Sequence, residues 1–225
     1  MNFVVENIST AVALLHEDQS REALLLLAKT LRQLLDQADA LSNECGEISM
    51  TDACHVYSVD TMFESELAVP PDSSCSFYHK AFSLKVLDGT TDPELFAKSW
   101  MSQLTVIIMY NMALIHHQEG ILRGSSKLLR KASALYRPAL AVLRECSTMG
   151  IFERTILLAI TNNLGHIHSM NCELKEVKEC QGLMAELVQA FLSNPESLQG
   201  EEDFLPFFLG SLCFVASGPR AAPAA

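Results

Sequence analysis

Apolar residues recur at helical spacing along most of the chain, and one stretch breaks that pattern. From residue 6 to 40 they return every three or four positions, which predicts two helices joined by a polar turn at 16–20. From residue 93 to 193 the same spacing predicts longer helices. The first of these is apolar nearly all round between 104 and 115, which is typical of a helix covered on several sides, so we expect it at the centre of the core.

Residues with turn chemistry separate the four helices expected between 93 and 193. Asp92 and Pro93 suit the start of the first one, because aspartate caps free amides and proline fits the first helical position. The later boundaries fall at 120–126, Gly150, Asn171 with Cys172, and Asn194 with Pro195. In the second helix we expect one face to point inward, formed by Leu128, Ala132, Leu135, Ala139 and Val142.

Residues 41–92 lack helical spacing and contain proline, glycine and nine acidic residues against two lysines. This composition predicts an irregular acidic connector packed on the helices. Within it, apolar and polar residues alternate over 82–86, directly after the aromatic pair Phe77 and Tyr78. We therefore expect a short extended segment that lies against the helices.

Composition and charge narrow the class of protein. The 225 residues are 49% hydrophobic and 19% charged, which supports a buried core. The net charge of −11 disfavours binding to nucleic acid or anionic membranes. Seven scattered cysteines without a Cys-x-x-Cys pair indicate reduced thiols, and the N-terminus lacks the pattern of a secretory signal or transit peptide. We expect a cytoplasmic or nuclear protein with no membrane span.

A small residue stands near the middle of three predicted first helices, at Ala11, Ala113 and Gly165, where close contact with a second helix needs little side chain. Around these sites the chain resembles the tetratricopeptide (TPR) family, most closely in NNLGHIH at 162–168. The spacing from this small residue to the matching position on the second helix is twelve in the first pair (Ala11 to Ala23) and in the third (Gly165 to Val177), and nineteen in the middle pair (Ala113 to Ala132). The order of FYHKAF, YNMALIHHQEG and NNLGHIH is also similar to that of TPR-like proteins common in diatoms.

The TPR resemblance implies an all-α fold, an α-α superhelix of stacked antiparallel helix pairs whose first helices line a concave groove for an extended peptide or a partner helix. On this view the acidic connector, with its short extended segment, interrupts the array. The expected parts are a first helix pair at 1–40, the connector at 41–92, core TPR-like pairs at 93–193, an apolar segment at 194–216 and a disordered tail at 217–225.

Asn111 and Asn163 each stand two residues before the small residue of their pair, so stacked helices would place them equivalently. An asparagine offers donors and an acceptor together, which suits binding the backbone of an extended chain. With Tyr110 and His166 they form the expected peptide groove. The alternative is that both asparagines bond helix backbones or water.

Basic residues gather between 121 and 154, although the whole chain is acidic. Most arginines there lie opposite the expected inward face, which indicates either a solvated surface neutralised by the connector or a site for an acidic or phosphorylated partner. The expected basic patch is Arg123, Lys127, Arg130, Lys131 and Arg137.

The leading hypothesis is a scaffold for protein–protein interaction that needs no cofactor or metal and is not an enzyme, with another protein as partner and its oligomeric state open. One alternative is an enzyme or small-ligand protein with a pocket between connector and central helices that uses His79, His116 or His117. The other is a structural module that associates with a partner or a second copy through its apolar 204–215 segment.

Overall fold

The protein is predominantly helical, as the sequence predicts. The structure, a computed structural model, describes residues 2–41, 54–60, 77–86, 97–145, 151–193 and 204–216. The predicted helix start at Asp92 and Pro93 and the predicted disordered tail at 217–225 lie outside these ranges. The described elements are α1 (Asn2–His16), α2 (Ser20–Leu41), β1 (Cys54–Asp60), β2 (Lys80–Val86), α3 (Ala97–Leu122), α4 (Ser126–Glu145), α5 (Ile151–Met170), α6 (Leu174–Leu192) and α7 (Phe204–Ala216).

The chain divides into two compact units. The first comprises 1–66 and 79–147 and contains α1 to α4 with both strands. The second comprises 67–78 and 148–225 and contains α5 to α7. The division separates α4 from α5, inside the stretch 93–193 that the sequence suggests as one helical core.

Helices that follow each other in the first unit also contact each other: α1 with α2, α2 with α3, and α3 with α4. Helix α3 is buried on nearly all sides between 104 and 115, as its unbroken apolar run predicts. The inward face predicted for α4 is wrong by one position at three sites. The buried residues are Leu129, Ala132, Tyr136, Ala139 and Leu143.

The two strands form an antiparallel pair whose register runs from Cys54 opposite Val86 to Asp60 opposite Lys80. Strand β2 also contacts α1 and α3. The extended segment expected at 82–86 is therefore confirmed and begins two residues earlier. Strand β1 is a correction to the irregular connector, since its sequence CHVYSVD alternates well enough to pair once β2 is present.

The same three-residue turn joins α1 to α2, α3 to α4, and α5 to α6. Its middle residue has a left-handed backbone in each case: φ is 60° at Asp18, 58° at Gly124 and 59° at Cys172. This geometry closes a helix C-terminus by satisfying carbonyls that would otherwise lack donors. The closing bonds run from the following amide to a carbonyl five positions earlier, from Gln19 to Leu14 (2.8 Å), Ser125 to Gly120 (2.8 Å) and Glu173 to His168 (2.9 Å).

Because the turn is the same in each pair, the additional length of the middle pair lies in its helices. In the first pair the small residues lie seven positions before Asp18 and five positions after it. In the α3–α4 pair the small residues lie eleven positions before Gly124 and eight positions after it. The additional four and three residues each amount to about one helical turn of 3.6 residues, so the small residues keep their faces.

In the second unit α5 contacts α6 and α7, and α6 also contacts α7. Every residue of α5 from 155 to 164 is buried. The apolar segment expected at 194–216 contains helix α7, in which Phe208 is fully buried. Among the described residues, none of the helices combines the length and the apolar character needed to cross a membrane.

Candidate functional site

Asn111 binds the backbone of one residue of β2 through both atoms of its side-chain amide. Its Oδ1 accepts a hydrogen bond from the Phe82 amide at 3.0 Å, and its Nδ2 donates to the Phe82 carbonyl at 2.8 Å. Asn111 and Phe82 are 0% and 1% exposed, so these bonds satisfy polar groups that water does not reach. The side chain therefore acts on β2 as a neighbouring strand would.

Two more side chains bind the same edge of β2. The Tyr110 hydroxyl donates to the Lys80 carbonyl at 3.1 Å, and the Ser9 hydroxyl donates to the Leu84 carbonyl at 3.4 Å. With Phe82 these are every second residue of β2. In an antiparallel pair alternate residues direct their backbone groups to opposite edges. Helical side chains thus bond three carbonyls and one amide on the edge that faces away from β1, and cover by the helices protects that edge from pairing with other strands.

Asn163 makes the same arrangement in the second unit. Its Oδ1 accepts from the Tyr78 amide at 2.6 Å, and its Nδ2 donates to the Tyr78 carbonyl at 2.9 Å. Asn163 is 0% exposed, and Asn162 donates a further, longer bond to its Oδ1 at 3.4 Å. Both backbone groups of Tyr78 are therefore satisfied by one side chain that lies 85 positions further along the chain.

Aromatic rings pack against Tyr78, which Asn163 binds, and against its neighbour Phe77. The Tyr78 ring lies 5.3 Å from the Phe207 ring and 5.2 Å from the Phe208 ring, both on α7. The Phe77 ring lies 5.4 Å from the His166 imidazole. Burial lowers the pKa of His166 to about 4, because a buried imidazolium loses its hydration. His166 is therefore neutral near pH 7 and packs as an aromatic ring.

The structure corrects the expectation that Tyr110, Asn111 and Asn163, three of the four predicted groove residues, face an open groove. Tyr110 and Asn111 are fully buried in the first unit, and Asn163 is fully buried in the second. His166 is half-buried in the second unit. The backbone-binding role expected of the asparagines is present, but the chain's own residues 78 and 82 occupy it.

The three small residues predicted at helix contacts are all at least half-buried. Ala11 and Ala113 are completely buried. Gly165 is half-buried, and a Cβ atom there would lie 3.3 Å from the Cβ of Cys180 on α6. Since α6 follows α5 in the pair, the missing side chain at Gly165 allows the two helices to approach closely.

The predicted basic patch is exposed along α4 and the turn before it, with Arg123, Lys127, Arg130, Lys131 and Arg137 all on the surface. Arg123 pairs with Glu119 one helical turn away at 3.2 Å. Burial is the largest cause that lowers the pKa of the nearby His116. Lys131 lowers this pKa further, whereas Glu119 raises it. The buried face of α4 lies on the opposite side, as an amphipathic helix requires.

Two of the described histidines, His117 and His168, contact other side chains of the chain. His117 is completely buried beside the Tyr136 ring, with 6.1 Å between ring centroids. His168 binds the Glu173 carboxylate through Nδ1 at the end of α5. The described residues contain no group of three His, Cys, Asp or Glu side chains that could hold a metal ion.

A small cleft in the second unit lies between α5, α6 and α7. It contains about 20 Å³, which is room for a water molecule and too little for a metabolite. Its lining residues include Gly165, His166, Cys180 and Ser211. His79, His116 and His117, the residues of the enzyme alternative, do not line it.

Comparison with known proteins finds no family model that matches the chain and no curated protein or solved structure that is similar to it. The two backbone-binding asparagines, Asn111 and Asn163, and the helices that carry them are the features of this chain that bear on its function.

Proposed function

We propose that this chain is a TPR-like module for protein–protein interaction that binds an extended partner segment by its backbone. The observation that carries the proposal is that one buried asparagine bonds both backbone groups of one residue, in each of the two units. The three helix pairs with identical turns support the TPR-like part of the proposal.

Binding through the backbone suits a recognition module. Nearly every residue carries one N–H and one C=O, so an asparagine that binds both accepts an extended chain of many sequences. Proteins that add a partner strand to a sheet edge use the same bonds. In the free chain β2 takes the place of the partner strand at Asn111.

The internal strand competes with any partner. A tethered segment acts at an effective concentration in the millimolar range for a short flexible connection, so a free peptide must overcome that advantage. Weak binding by the intact chain and tighter binding once β2 is loosened are therefore expected of an interaction module held closed by its own segment.

The experiment uses a labelled synthetic peptide of residues 79–86 as the probe. Phe82→Pro removes the amide proton that Asn111 accepts and loosens β2 in the full chain. Fluorescence anisotropy should show this variant binding the peptide at least about tenfold more tightly than the unsubstituted chain, as loss of the tethered competitor predicts. Adding Asn111→Leu to the variant should abolish the gain.

Two controls keep the result interpretable. Circular dichroism reports whether Phe82→Pro keeps its helices, and Phe82→Ala gives a milder opening that retains the amide proton. A peptide with proline at the position of Phe82 should not bind either variant. If both variants remain helical and neither binds the parent peptide, the proposed function is wrong.

A further inference from the structure

The side chains at positions 81–84 of β2 are as tightly enclosed as the backbone there. Ala81, Phe82, Ser83 and Leu84 are 0%, 1%, 1% and 3% exposed. A strand alternates its side chains between two faces, so four successive buried residues mean that both faces of β2 are covered. A site of this kind selects side chains in addition to binding the backbone.

The face of β2 that carries Phe82 and Leu84 accepts large apolar groups. The Phe82 ring meets the Tyr110 ring edge to face, with 4.9 Å between centroids. That arrangement is favourable for aromatic pairs and fixes the ring position next to the backbone that Asn111 holds. A smaller side chain at this position would leave a cavity against α3.

The face that carries Ala81 and Ser83 accepts only small groups. The Ser83 hydroxyl lies 3.2 Å from the Ser9 hydroxyl of α1, and Ala81 has no exposed surface. A longer side chain at either position would have to displace the groups that enclose it, because close-packed interiors have no spare volume. Lys80, by contrast, is half-buried, and only its carbonyl is bound by Tyr110.

We infer that the partner segment that replaces β2 carries a small, an aromatic, a small and an aliphatic residue at four successive positions, with the aromatic residue bound by Asn111. The inference rests on the proposed function, because it describes the ligand of the same site. The partner is thus an extended segment of another protein with this four-residue pattern, whereas the residue before it is free to vary.

A panel of peptides tests the pattern against the Phe82→Pro chain. Relative to the parent peptide of residues 79–86, a peptide with alanine at the Phe82 position should bind about 100-fold more weakly, the lower end of the cost of emptying an aromatic site. Leucine at the Ala81 or Ser83 position should weaken binding about tenfold or more through overpacking. Alanine at the Lys80 position is the matched control and should change affinity by less than about threefold.

The outcomes separate the inference from the proposed function. If the parent peptide binds and the Ala81, Phe82 and Ser83 replacements bind equally well, the site uses the backbone alone and the four-residue pattern is wrong. If the parent peptide fails to bind a folded variant, the proposed function itself fails. If only the Lys80 control loses affinity, charge rather than packing governs the contact and the inference is overturned.

Discussion

In the first unit Asn111 binds a residue of a strand, whereas in the second unit Asn163 binds a residue outside either strand. Phe82 belongs to β2, whose other edge pairs with β1. Tyr78 lies just before β2, and its ring packs against Phe207 and Phe208 of α7. The same amide chemistry is therefore supported by strand pairing in one unit and by aromatic packing in the other.

This difference shows which part of the arrangement is essential. In both units a buried asparagine supplies one donor and one acceptor to the backbone of a single residue. The side chain of that bound residue takes no part in these two bonds. The support around the residue varies. The asparagine is therefore the common element, and its removal is expected to have the largest effect in either unit.

Asn111→Leu and Asn163→Leu should each lower the free energy of unfolding of their unit by about 4 kcal/mol, because each leaves a buried N–H and a buried C=O without partners. Hydrogen exchange at the Phe82 and Tyr78 amides measures the effect. The Tyr78 amide should be accelerated more, since β2 keeps its pairing with β1. Asn171→Leu, in the exposed turn after α5, is the control, and an equal loss there would contradict the comparison.

Acid should weaken the second unit through His166. Its pKa is about 4 in the folded chain against 6.5 ordinarily, so between these values the unfolded chain binds a proton that the folded chain does not. The free energy of unfolding should therefore fall as the pH falls from 6.5 towards 4, by at most about 1.4 kcal/mol per pH unit.

Urea denaturation at several pH values measures this dependence, and His166→Phe should flatten it while keeping the ring contact with Phe77. His116→Gln is the matched control: burial and Lys131 also lower the pKa of His116, but it lies in the first unit, so its removal should leave the pH dependence of the second unit unchanged. An unchanged pH profile in the His166→Phe chain would show that another group causes the acid sensitivity.

At the left-handed position of the shared turn, substitution to glycine and substitution to alanine should change stability in opposite directions. Cys172→Gly should raise the free energy of unfolding of the second unit by about 1 kcal/mol, because a left-handed backbone strains a residue with a Cβ atom. Gly124→Ala should lower that of the first unit by a similar amount. Thermal melts of both variants decide the point, and a stabilising Gly124→Ala would contradict the assignment.

Tyr110→Phe is expected to have a comparable or smaller effect, about 1 kcal/mol, because it removes one hydrogen bond to the carbonyl of half-buried Lys80. The ring contact with Phe82 remains in this variant. Comparing its urea midpoint with that of Asn111→Leu measures how much of the β2 contact depends on the asparagine. Equal losses of stability in the two variants would mean that Asn111 contributes no more to the β2 contact than the Tyr110 hydroxyl does.

The sequence predicts the helices well because helical spacing is a local signal. It also selects Asn111 and Asn163, since their position relative to the small residues follows from the same periodicity. The α4 face shows the limit of that signal. Apolar residues stand side by side at 128–129, 135–136 and 142–143, so two stripes compete, and only the packing against α3 selects the one with Tyr136.

The residues that Asn111 and Asn163 bind could not be identified from the sequence. A contact between Tyr78 and Asn163 spans 85 positions, and no periodic pattern relates residues so far apart. The alternation at 82–86 predicts an extended segment that lies against the helices, but not which side chain binds it. Strand β1 is not predicted because its seven residues stand in a stretch whose proline, glycine and acidic residues indicate irregular structure.

The distance along the chain between Tyr78 and Asn163 also has a consequence for synthesis on the ribosome. Translation adds about 5–20 residues per second, so Asn163 is made roughly 4–17 s after Tyr78. Throughout that interval the growing chain carries two neighbouring aromatic residues, Phe77 and Tyr78, whose binding helix has not yet been made. Slow codons between the two positions would lengthen this interval.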